Sequence, residues 1–193
     1  MQLLSALSRL AISCQRRVLV ALSGHERLAR RLGVKIGVGC RISSPNWGSE
    51  PYLVEIGDYV HITSGVNFVT HDGGVWVFRR EFPSMDVLGR IVVGDGTYIG
   101  NNATILPGVQ IGKGCVVGAN SVVSRSIPNG VVAAGNPARF ICWTEEYRGK
   151  MIPHDFGTHG VSRSEKQERV LGMVKLRGVQ KPQIALPSVP GLQ

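Results

Sequence analysis

Residues 91–127 read IVVGDGTYIGNNATILPGVQIGKGCVVGANSVVSRSI, and the pattern returns every six positions. Val93, Ile99, Ile105, Ile111, Val117 and Val123 hold the aliphatic place without a miss. The residue after each is Gly94, Gly100, Leu106, Gly112, Gly118 and Ser124, mostly glycine. Four places after each aliphatic stand Thr97, Ala103, Val109, Cys115, Ser121 and Ile127, mostly small or β-branched. An amphipathic helix would space its apolar residues near 3.6 and a half-buried strand would alternate by two, so a period of six is neither. It fits a solenoid of short strands and tight turns. Three hexads make one triangular coil, each face sends one aliphatic side chain to the axis, and coils stack at roughly 4.8 Å. No coil buries its own core, so stacking is obligatory.

Upstream the same frame is visible but broken. Ile36 and Ile42 open two hexads, and Ile56, Ile62 and Phe68 open three more. The phase slips by two between Ile42 and Ile56, which marks an insertion. It is lost again between Phe68 and Val93. There the segment 72–89 carries Trp76, Phe78, Arg79, Arg80, Phe82 and Met85 and reads as a loop thrown out of the solenoid. Long loops in compact domains tend to be functional.

The division that follows has three parts. Residues 1–31 form an N-terminal segment, 32–141 the β-helix domain with its inserted loop, and 142–193 a C-terminal extension. The apolar run in 1–23 is interrupted by Arg9, Arg16 and Arg17, with no small-residue cleavage pattern after it. It is also too short and too charged to span a bilayer. An amphipathic helix is expected, packed on the domain or resting on a membrane surface. Residues 143–150 and 163–174 have helical character, and the proline-rich stretch from Lys181 onward reads as a disordered tail.

The net charge of +9 raises nucleic acid as a partner. The basic residues are spread over both ends and no zinc-finger, RNP-like or helix-turn-helix pattern is present, so no nucleic-acid partner is expected. A phosphorylated co-substrate or an anionic surface accounts for the charge as well. Cys14, Cys40, Cys115 and Cys142 lack CxxC spacing and read as free, mostly buried thiols of a reducing compartment. Cys115 falls on an inward position.

The runs Val-Val-Gly-Ala-Asn-Ser-Val-Val (116–123), Ile-Pro (127–128) and Val-Val-Ala-Ala-Gly-Asn-Pro-Ala-Arg (131–139) resemble the hexapeptide-repeat acetyltransferases. Within that family they look most like the branch of galactoside and maltose acetyltransferases and the O-acetyltransferases of capsule and lipopolysaccharide synthesis. The resemblance covers about Leu32 to Ile141. It implies an all-β, left-handed parallel β-helix, a homotrimer with each site between neighbouring solenoids, and acetyl-CoA as donor. Left-handed coils depart from the usual crossover preference and are not derivable from spacing.

Residue by residue, Thr70-His71-Asp72 matches the family's catalytic histidine motif. The chemistry needs a base within hydrogen-bond reach of an acceptor hydroxyl. His71 is therefore the expected general base and His61 a structural residue. The resemblance further implies that Asn101 and Ala119 line the pantetheine arm. It sets Ser124, Arg125 and Arg139 near the nucleotide, where a cation suits phosphate. Position 142, often basic in the family, is cysteine here. On the acceptor side, Asp72 is expected to orient His71 or bind a hydroxyl, and Trp76 to stack on a sugar. The function implied is acetyl-CoA-dependent O-acetylation of a saccharide, polysaccharide or lipid-linked sugar, without a metal. The expected location is cytoplasmic or peripheral at the inner membrane face.

Two other readings are open. A β-helical metalloenzyme like the γ-type carbonic anhydrases needs three histidines around a metal. Only His61 and His71 lie in the coils, and His154 and His159 follow the solenoid. A non-catalytic trimeric scaffold would need neither the Thr-His nor the Gly-Asn-Pro-Ala-Arg motif.

Overall fold

The computed structural model describes residues 24–181, so the expectations for residues 1–23 and for the tail from 182 lie outside the described residues. Its contacts divide the chain into two units, Met1–Glu145 and Glu146–Gln193.

The first unit opens with helical residues 24–31 (α1). Strands of two or three residues follow: β1 (Lys35–Ile36), β2 (Arg41–Ile42), β3 (Val54–Ile56), β4 (His61–Ile62), β5 (Asn67–Phe68) and β6 (Ile91–Val93). Next come β7 (Tyr98–Ile99), β8 (Thr104–Ile105), β9 (Gln110–Ile111), β10 (Val116–Val117) and β11 (Val122–Val123). The chain deals them in turn onto three sheets, ordered β1-β3-β6-β9, β2-β4-β7-β10 and β5-β8-β11, with every neighbouring pair parallel. Parallel neighbours one coil apart are what a period of three hexads demands.

Register places the hexad aliphatics in columns. Ile36, Ile56, Val93 and Ile111 stack on one face. Ile42, Ile62, Ile99 and Val117 stack on the second, and Phe68, Ile105 and Val123 on the third. All but the half-buried Ile42 are buried, and the residues at the small positions, Thr97 through Ile127, are buried with them. Full burial of one such aliphatic contributes about 1.5–3 kcal/mol against leaving it in water, so the columns supply the main stabilising term.

The phase slip before Ile56 has a physical cause. Asn46 bridges Asn67 in parallel, which puts Trp47 in the Phe68 column. The two rings stack at 5.0 Å with planes 10° apart. The third face of the first coil thus exists but carries an aromatic residue. Residues 48–53, with a 3₁₀ turn at Pro51–Leu53, are the insertion that hides it.

The solenoid closes differently from its repeats. β12 (Val131–Gly135) joins the second sheet beside β10, and β13 (Ala138–Trp143) turns back antiparallel on it. The thiols of Cys115 and Cys142 are free and buried and that of Cys40 half-buried, while Cys14 lies outside the described residues. Helix α2 (Thr144–Met151) follows β13, and the second unit contains α3 (Arg163–Arg177), capped by Ser162 through the Glu165 amide. Among the described residues no helix is long and apolar enough to cross a membrane.

Candidate active site

The loop after β5 is built on a neck. His71 forms an antiparallel bridge with Leu88, the Asp72 amide donates to Val87 O at 2.9 Å, and the Gly89 amide donates to Thr70 O at 2.9 Å. The chain re-enters the coils at Gly89, where a Cβ would collide with the backbone of Pro107 and Gly108. His71 is thereby fixed where regular coil gives way to loop, with its side chain 43% exposed.

The partner of His71 comes from the insertion of the previous coil. Glu50 Oε2 lies 3.2 Å from His71 Nδ1 and accepts a 2.6 Å hydrogen bond from Thr70 Oγ1. Thr70 is fully buried, and its hydroxyl also accepts from the Glu50 amide at 3.3 Å. Gly48 lets this insertion lie close, since it has φ +73° and a Cβ there would meet Phe68 O at 2.5 Å. The Thr70 hydroxyl first, and the His71 ring after it, hold the Glu50 carboxyl below its ordinary range. A carboxylate on Nδ1 fixes the imidazole's orientation and leaves Nε2 for a reacting group.

Asp72 does something other than orient His71. Its Oδ1 accepts from the Gly74 amide at 2.8 Å and caps the 3₁₀ turn Gly73–Phe78. The carboxylate against the histidine is Glu50, which the sequence reading missed. Trp76 sits on the same turn, 71% exposed. The Arg79 guanidinium lies 5.9 Å from its ring centroid and is held by Pro83 O and Asp86. The loop is therefore braced within itself.

The residues matched to the donor fall in two places. Asn101 and Ala119 occupy one corner of successive coils, where the Asn120 amide donates to Asn101 O at 2.8 Å. Ser124 and Arg125 follow β11 at the next corner, on the same side of the β5-β8-β11 sheet as His71. That sheet lies between the His71 corner and the Asn101 and Ala119 corner. Arg125 and Arg139 come together on a groove of about 260 Å³ at the end of the solenoid. His61 stands on the second sheet, edge-on to Tyr98 at 5.3 Å, away from the loop neck. His154 belongs to the second unit, where Nδ1 lies 2.8 Å from Arg177 O. Among the described residues no three His, Cys, Asp or Glu side chains assemble a metal site.

Residues 90–125 match the family model of the bacterial transferase hexapeptide, six repeats. The chain is 46% identical to protein CapG of Staphylococcus aureus over 149 residues, covering 76% of this chain and 87% of CapG. It is 35% identical to WbbJ of Escherichia coli (strain K12), provisionally named a lipopolysaccharide biosynthesis O-acetyl transferase, over 54% of this chain and 66% of that one. Among solved structures it resembles the hexapeptide-repeat acetyltransferase VCA0836 of Vibrio cholerae O1 biovar eltor, determined with acetyl coenzyme A. The TM-score is 0.51 and the identity 31%, over 57% of this chain and 60% of that one. The likenesses define an acyltransferase of the hexapeptide-repeat class. The chain belongs to the hexapeptide-repeat acetyltransferase family.

Proposed function

We propose that the protein transfers the acetyl group of acetyl-CoA to a hydroxyl of a saccharide, free, polymeric or lipid-linked, with His71 as general base. The observation that carries the reading is the Glu50–His71 pair at the loop neck, 3.2 Å apart. Glu50 holds Nδ1, so Nε2 takes the proton as the acceptor oxygen attacks the thioester carbonyl. The C–S bond breaks, the CoA thiolate leaves and accepts a proton, and no covalent acyl-enzyme forms. The names of the WbbJ and VCA0836 relatives support acetyl transfer and acetyl-CoA. Metal chemistry is not required for any step.

The donor residues fit this use. Arg125 and Arg139 present guanidinium groups suited to phosphate, and Asn101 and Ala119 present corner backbone to the arm. The separation of Asn101 and Ala119 from His71 by a whole sheet supports a left-handed β-helix trimer in which neighbouring solenoids each complete part of a site. Trp76 and Asp72, on the exposed loop, are the proposed acceptor contacts. Cytoplasmic action, at or near the inner membrane face, follows from the donor and from a lipid-linked acceptor.

The test is purified protein with acetyl-CoA and a panel of capsule- and lipopolysaccharide-type sugars, following free CoA thiol and acetylated product by mass. O-acetylated sugar with stoichiometric CoA release supports the reading. Acetyl-CoA consumption without an acetylated hydroxyl, or none with any saccharide, overturns it.

A further inference from the structure

The groove holding Arg125 and Arg139 has a second chemical character. β13 carries a bulge opposite Val132 and Ala133, so that Phe140 pairs with Ala133, Cys142 with Val132, and Ile141 is the extra residue. A bulge re-aims side chains along a strand. Here it allows Phe140 and Trp143, three residues apart, to flank the same groove, ring centroids 5.4 Å apart and planes at 69°. Beside the buried Val131 and Ala133, which line the same groove, the two aromatic residues stay 57% and 50% exposed. The groove therefore combines an aromatic wall with two exposed guanidinium groups, and among the described residues lining it none is Asp or Glu. Arg125 has no hydrogen bond or ion pair among the described residues, and Arg139 bonds only its neighbour's carbonyl, Ala138 O at 3.1 Å.

A flat π-face beside cations, without opposing carboxylate, matches a nucleobase carrying phosphates. We infer that Phe140 and Trp143 are the adenine platform of the donor site. By this inference recognition depends on the nucleotide, and the enzyme discriminates CoA thioesters from thioesters of bare pantetheine. This rests on the acetyl-CoA reading above and adds specificity residues to it.

The experiment pairs two measurements. Calorimetry with adenosine 3′,5′-bisphosphate should show binding that weakens about five- to tenfold in Trp143→Ala, the low end for base–aromatic stacking because the ring is half exposed. Trp143→Phe should keep most of the affinity. In kinetics, Trp143→Ala should raise KM for acetyl-CoA by a similar factor and leave kcat/KM for S-acetylpantetheine unchanged. Trp143→Leu serves if the alanine variant melts early. No nucleotide binding by the wild type, or equal losses on both thioesters, overturns the platform. If the bisphosphate binds through Trp143 but no acetyl transfer occurs, the platform stands and the proposed reaction falls. If acetyl-CoA turns over and Trp143 makes no difference, the reverse holds.

Discussion

Glu50 and His71, on neighbouring coils and 21 residues apart in sequence, meet with Oε2 3.2 Å from Nδ1, while Thr70 Oγ1 donates to the same carboxylate oxygen. The carboxylate is kept ionised by these contacts. It therefore accepts from Nδ1–H and fixes the tautomer that leaves Nε2 free as an acceptor. Glu50→Gln retains the size but offers an amide that can donate to Nδ1 and favour the wrong tautomer. Turnover should fall by roughly tenfold or more, a fraction of the worth of the base itself. KM for acetyl-CoA should stay near wild type, and Glu50→Asp should recover part of kcat. A purely structural Glu50 would instead lower Tm and leave kcat per folded enzyme intact.

Trp47 and Phe68 seal the start of the solenoid by stacking at 5.0 Å inside the core. Phe68 is almost wholly buried. Phe68→Ala should cost about 3–5 kcal/mol, the usual sum of lost transfer energy and residual cavity. Urea unfolding of variant and wild type measures it. A cost under about 1 kcal/mol would mean that the coils at this end of the solenoid are not part of the cooperative core.

The fold was legible where the inward column is unbroken. From Val93 to Ile127 each hexad contributes its own side chain to a column, so local sequence and global register coincide. Trp47 escaped because it stands five places after Ile42 and nine before Ile56, out of the six-residue frame, and its type breaks the aliphatic pattern. Glu50 escaped for a different reason. Its partnership with Thr70 and His71 exists only once coils stack, and nothing in the spacing of a lone glutamate before a proline announces it. Asp72, adjacent to His71 in sequence, drew the orienting role that stacking gives to Glu50. The Phe140–Trp143 pair was hidden because strand alternation sets residues i and i+3 on opposite faces, and only the bulge changes that.

His61 gives stability a pH dependence. Burial, then the nearby Arg41 charge, holds its pKa below the ordinary 6.5. Its folded pKa lies below its unfolded one, so the protonated form is disfavoured in the fold. The stability it contributes is full above 6.5 and is lost as pH falls through that value to the folded one. Tm should drop between about pH 7.5 and 5.5, and His61→Gln should flatten that step. Glu50, Glu55 and Asp95 have lowered carboxyl pKa values, so their contributions are lost only below about 4.5, in a separate window. An unchanged step in His61→Gln would assign it to another group.

Trp76 stands 71% exposed on the turn that follows His71. An aromatic face free of core packing suits the apolar face of a sugar ring. Trp76→Ala should raise KM for the acceptor several-fold, on the order of 1 kcal/mol, with little change for acetyl-CoA. Equal changes for both substrates would mean that the ring only braces the loop with Arg79.

His71→Ala tests the reaction itself. The ring is held at the loop neck, between a backbone bridge to Leu88 and the Glu50 carboxylate. Removing it deletes the only base proposed to take the acceptor proton. Turnover should fall by roughly 10²–10⁴, the usual worth of general-base catalysis. Acetyl-CoA affinity should stay near wild type, since Asn101 and Ala119 lie at another corner and Arg125 and Arg139 line the groove at the end of the solenoid. His61→Ala provides the control. It removes an imidazole of the same chemistry from the second sheet, where it packs on Tyr98, and should reduce Tm more than kcat. Steady-state kinetics with acetyl-CoA binding measured separately resolves the two. Near-normal turnover in His71→Ala on the true acceptor would make His71 structural and leave Asp72 or the substrate to supply the base.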